Sequence, residues 1–116
     1  KKNKKLHGEV FNFGPKNTQN YNVIFTVKLM QKFWKKIQWK VIDKNKKTFY
    51  ESNLLKLNCN KARTILKWKC ILSFKETVKM VVDWYQSYYS KPIQIYKTSF
   101  NQIKEYEKLL KKRSIK

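Results

Sequence analysis

The 116-residue sequence holds only two glycines, two prolines, two cysteines and one histidine, and each scarcity excludes a class of chemistry. Gly8 and Gly14 are separated by Glu9-Val10-Phe11-Asn12-Phe13, a strand-like run, so no glycine-rich turn is available to cradle a phosphate. Cys59 and Cys70 are too few for a disulfide framework, and neither has the cysteine or histidine neighbours that zinc requires. Each reads as a small buried hydrophobe or an idle thiol. Ser-His-Asp or Cys-His catalysis would have to use His7, around which no motif is built. The carboxylates Asp43, Glu51 and Asp83 are isolated, and Glu105 and Glu107 lie among lysines, so no acid/base pair can be assembled. No catalytic residue and no metal ligand set is read from this chain.

Long apolar runs are also lacking. Nothing approaches the roughly 20 residues a membrane helix needs. The basic start Lys1-Lys2-Asn3-Lys4-Lys5 leads into Leu6-His7-Gly8-Glu9 rather than the apolar region of a signal peptide. The expectation is a cytoplasmic protein with no membrane partner.

What is present in quantity is positive charge and aromatic surface. The formal net charge is +21, and 16% of residues are aromatic within a 41% hydrophobic total, enough to build a core in one domain. Such charge makes a small lysine-rich nucleic-acid-binding module the alternative reading of the chain, because lysines displace the counterions of phosphates. The type of cation argues against it. Of the 28 basic residues only Arg63 and Arg113 are arginine. Base reading and bidentate phosphate clamping favour the guanidinium fork. The lysines are spread through every segment alongside abundant Asn and Ile, as in a chain shaped by an AT-rich genome. Nonspecific, salt-sensitive binding to nucleic acid follows from the charge in either case.

Along the chain, alternation predicts strands near 9–13, with Val10 on one face and Phe11 and Phe13 on the other, near 38–42 and near 53–57. Apolar residues at Val23, Val27, Met30 and Trp34 predict a helix near 23–36. The stretch Asn53 to Arg63 changes period as it is read: Leu55 and Leu57 alternate with Lys56, then Asn58 stands as an N-cap for a helix near 59–66. It forms the seam between a half with strands and a helical half. Ser73 and Glu76 match a capping box opening a helix near 74–89, with Phe74, Val78, Val81, Val82, Tyr85 and Tyr89 on one stripe. Ser99 and Gln102 match a second box, opening a helix near 99–112. The fold class expected is α/β: few short strands plus about four helices in one small domain.

Several of these stretches, in order, resemble the C-terminal third of CDP-glucose 4,6-dehydratases, NAD-dependent enzymes of the extended short-chain dehydrogenase/reductase family. Lys5 to Pro15 is similar to the family's KLHGEAFNFGP. Tyr50 to Arg63 is similar to its HEAxxLKLDCSKAR, and Leu66 to Val78 to LGWKPxWSLEEAL. Val82-Asp83-Trp84-Tyr85 and Thr98 to Tyr106 resemble VEWY and TxEQIxxY. The resemblance spans nearly the whole chain.

The resemblance implies a C-terminal lobe over a nucleotide sugar, with NAD binding and catalysis in an N-terminal Rossmann domain, missing here or supplied by a partner chain. The parent reaction is a lyase reaction, the dehydration of CDP-glucose to CDP-4-keto-6-deoxyglucose. No tyrosine of this chain has a lysine four residues later, so the family's catalytic Tyr-x-x-x-Lys is absent. Glu51 would then accept hydrogen bonds from the ribose hydroxyls and Lys47 would sit nearest the diphosphate. The chain would bind no cofactor of its own. It departs from the family at Tyr50, Asn58, Asn60, Lys67 and Cys70, where the pattern has His, Asp, Ser, Gly and Pro. The change at Lys67 removes a favoured left-handed helix stop, and the change at Cys70 removes a rigid turn residue.

Overall fold

The computed structural model describes residues 4–15, 21–41 and 57–114, which fall into two compact units. The first contains residues 4–15 and 57–70, the second residues 21–41 and 71–114.

In the second unit, helix α1 spans Val23–Phe33, and Asn22 caps it by accepting the Phe25 N–H at 2.7 Å. The helix ends at Trp34, whose backbone is extended, and Gln31 Nε2 donates to the Ile37 carbonyl at 2.9 Å beyond the end. Helix α3 spans Phe74–Ser90 and opens with the Ser73/Glu76 capping box. Glu76 N–H donates to Ser73 Oγ at 3.3 Å, and Glu76 Oε2 accepts from Ser73 N–H at 2.7 Å. After a short 3-10 turn at Pro92–Gln94, helix α4 runs over Ile95–Ser114.

Helix α3 lies between the other two. Toward α1 it presents Phe74, stacked on Tyr21 at 3.9 Å between ring centroids, and Tyr89, 5.9 Å from Trp34. Gln86 Nε2 adds a bond to the Phe33 carbonyl at 3.3 Å. Toward α4 it presents Trp84, whose indole N–H donates to Ser99 Oγ at 2.9 Å, and the Met80 carbonyl, which accepts from Gln102 Nε2 at 2.7 Å. Val78 and Val82 are the buried side chains of this unit. Arg113 ties the far end: its guanidinium donates to Glu76 Oε1 at 2.7 Å and to the Ile71 carbonyl at 2.5 Å.

The first unit holds helix α2, Asn60–Ile65, and a 3-10 turn at Lys4–Leu6. Cys59 and Ala62 are its buried side chains.

Two expectations are corrected. The fold class is not α/β, because the described residues form helices and no strand. Residues 9–13 alternate in facing, with Val10 80% exposed, Phe11 half-buried beneath Lys61 and Phe13 edge-on to Trp68. That period-2 pattern is met by side-chain contacts with another part of the unit. A strand also needs a backbone partner to complete its ladder, and among the described residues there is none. Residues 38–41 are likewise irregular, and 53–56 lie outside the described residues.

The second correction concerns Ser99, which is not an N-cap. It lies inside α4, donating to the Ile95 carbonyl at 3.0 Å while accepting from Trp84. The spacing Ser-x-x-Gln fits a box, but Pro92 opens a 3-10 turn that feeds directly into the helix three residues later, so both side chains are free to join α4 to α3.

Two predictions follow from these contacts. The Arg113 hydrogen bond, together with those from Ser73, holds the Glu76 carboxyl at about 2, below its ordinary 4.5. Because the folded-state value is depressed, this contribution to stability is complete above pH 4.5 and fades as pH falls through about 2. Thermal melts of wild type between those limits should lose stability, and Glu76→Gln should flatten the loss. Separately, Ser99→Ala strips the half-buried Trp84 indole of its acceptor and should cost about 1 kcal/mol in denaturant unfolding, with helical circular dichroism unchanged because α4 does not start there.

Candidate functional site

The resemblance directs attention to Glu51 and Lys47, and both lie outside the described residues. The structure therefore brings neither into a site. The described residues of the first unit do form a cluster, built from three separate stretches of sequence.

Gly14 is the closest approach. A Cβ added there would lie 3.3 Å from Cys59 Sγ and 3.8 Å from Leu57 Cβ, so the 6–15 segment is pressed against the chain just ahead of α2. Lys61 on α2 forms an ion pair with Glu9 and lies 5.1 Å from the centre of the Phe11 ring. Arg63 reaches the Pro15 carbonyl at 3.4 Å. Phe13 meets Trp68, from the stretch after α2, edge to face with centroids 5.3 Å apart. Apolar and aromatic contacts carry this cluster. The Lys61–Glu9 pair is 44% exposed on each side and so contributes little.

The helix start departs from expectation by one residue. Cys59, not Asn58, is the N-cap residue, and its thiol donates to the Leu57 carbonyl at 3.5 Å. Asn58 acts one step earlier, its side-chain oxygen accepting the Asn60 N–H at 2.9 Å in an Asx-turn. The side chain thus still satisfies an orphan donor of the first turn.

The helix end is the feature that sequence reasoning had marked as lost. Leu66 and Trp68 both direct backbone N–H groups to the Ala62 carbonyl, at 3.1 and 3.3 Å. Between them Lys67 takes φ +53°, the left-handed region that favours glycine. The chain stops the helix in the glycine conformation without a glycine.

Chemically the cluster offers one cation in an ion pair, one guanidinium on a carbonyl, a buried thiol and two aromatic faces. Among the described residues no group of His, Cys, Asp and Glu could hold a metal ion. His7 sits exposed in the turn after Leu6. Gly8 has φ +82° in a turn, and Gly14 faces Cys59. No helix among the described residues is long and apolar enough to cross a membrane.

Replacing Lys67 by Gly should raise stability by about 1 kcal/mol, since a side chain in the left-handed region costs more than glycine's extra backbone freedom in the unfolded chain. Urea denaturation of the two proteins measures this, and an unchanged or lowered midpoint would contradict it. No family model, curated protein or solved structure matches this chain.

Proposed function

We propose that this chain is a nucleotide-sugar-binding portion akin to the C-terminal part of CDP-glucose 4,6-dehydratases, without catalytic groups of its own. One observation carries the reading: the three stretches on which the resemblance is clearest, Lys5 to Pro15, Leu57 to Arg63 and Leu66 to Lys69, meet in a single cluster around Cys59. Position 67 adds support, because the residue that replaces the family's glycine has a glycine-like backbone.

In this reading Glu51 accepts hydrogen bonds from the ribose hydroxyls and Lys47 faces the diphosphate. NAD, which supplies hydride transfer in the parent family, belongs in this reading to the family's Rossmann domain. No step of the dehydration is therefore assigned to this chain.

Titration calorimetry provides the test. The chain should bind CDP-glucose, Glu51→Ala should weaken that binding about tenfold, the effect of one strong pair of hydrogen bonds to a charged group, and the affinity should fall with salt far less steeply than that for DNA, because a diphosphate presents few charges where a duplex presents many. Duplex DNA should bind without sequence preference and lose affinity steeply between low and high salt. Absence of heat with CDP-glucose, or sequence-selective DNA binding that persists in high salt, would overturn the proposal.

A further inference from the structure

We propose that α4 carries a docking surface for an acidic amphipathic helix of a partner protein. This does not rest on the nucleotide-sugar reading, since it uses none of the residues named there. Ser99, Gln102 and Arg113 face α3 through the bonds described above. About a quarter-turn around the helix lies a second apolar row, Tyr96, Phe100, Ile103 and Leu110, spaced by four, three and seven residues. Ile93, in the preceding 3-10 turn, extends it. The row has the spacing of a coiled-coil seam and is open among the described residues: Ile93 is 97% exposed, Tyr96 80%, Ile103 58%, Phe100 44% and Leu110 39%.

Charge says what the seam accepts. Immediately after Tyr96, Ile103 and Leu110 stand Lys97, Lys104 and Lys111, all exposed, seven residues apart and so about 10.5 Å apart along the axis. Lys104 Nζ lies 4.5 Å from the centre of the Phe100 ring, at the border of the row. In a coiled coil these flanking positions choose the partner by charge.

A second copy of this chain fails that choice. Packed antiparallel it would set the lysine row against itself, and packed parallel it would set it against Ser99, Tyr106 and Arg113, none of them acidic. The net charge of +21 adds to the repulsion. An acidic helix meets the row with opposite charge and covers the exposed apolar side chains, and Glu107, inside the seam, calls for one basic residue opposite it and so fixes the register.

The probe is a synthetic helical peptide of three heptads with Leu along its seam, save one Lys set opposite Glu107, and Glu on both flanks, titrated against the full chain by fluorescence anisotropy. A scrambled peptide of the same composition controls for bulk charge. The periodic peptide should bind at least about tenfold more tightly than the scrambled one. The triple reversal Lys97→Glu, Lys104→Glu, Lys111→Glu should abolish this preference and transfer binding to a peptide with Lys on its flanks. Ile103→Ser, at an exposed position away from α3, should weaken the periodic peptide with circular dichroism unchanged, and it keeps the test decisive should the triple variant not fold. Equal binding of the scrambled peptide, or full binding by Ile103→Ser, would overturn the proposal. So would a single-stranded oligonucleotide that binds more tightly than the periodic peptide and is lost on Phe100→Ala, which would assign the surface to nucleic acid.

Discussion

Helix α3 has to be covered on two sides, and the second unit is arranged around that requirement. Val78 and Val82 are its fully enclosed side chains. Two valines bury too little apolar surface to define how three helices pack, at about 25 cal/mol per Å². Direction comes from long polar side chains that reach backbone carbonyls of neighbouring segments: Gln102 to Met80 within α3, Gln86 to Phe33 at the end of α1 and Arg113 to Ile71 ahead of α3. A helix-interior carbonyl has a second lone pair beyond the one its own helix uses, and glutamine can take it. Such bonds fix register where apolar packing alone would leave it loose.

Electrostatics in this chain is a surface matter. The three ion pairs among the described residues, Lys61–Glu9, Lys79–Asp83 and Arg113–Glu76, are all partly solvated. Only the last is reinforced, by the Ser73 cap and the forked guanidinium, and it is the one that holds a carboxyl far below its usual range. The remaining lysines find few carboxylates to meet, since seven acidic residues face 28 basic ones. Their effect falls on association with anionic or acidic partners rather than on which fold forms.

Particular residues show where sequence reasoning held and where it did not. The start of α3 was legible because Ser73 and Glu76 lie three residues apart and satisfy each other, whatever the rest of the chain does. Asn58 was legible in its chemistry but shifted by one position, because asparagine can serve a first-turn N–H from either side of the cap. Asn22, the cap of α1, stands directly before the apolar period it opens, which is the sequence signal for a helix start there. Ser99 and Gln102 carried the same local signal as Ser73 and Glu76 and were used differently, because Trp84 and Met80 on the neighbouring helix claimed them. Of the candidate site only the supporting cluster is described. Its assembly from 6–15, 57–63 and 66–69 could not be read from spacing, because about forty residues of chain separate the first stretch from the second.

The sequence by itself determined the local features: the Ser73/Glu76 capping box and the alternation of Val10 against Phe11 and Phe13. These depend on bonds and facings within a few residues, so composition and spacing suffice. Tertiary structure decided the rest. A helix closes its hydrogen bonds on itself, whereas a strand must borrow them from a distant segment, and in the described residues no segment supplies them, so alternation became side-chain contact without a sheet. The same dependence on distant neighbours turned two apparent caps into cross-links. It also placed a lysine in a glycine's backbone conformation at the end of α2.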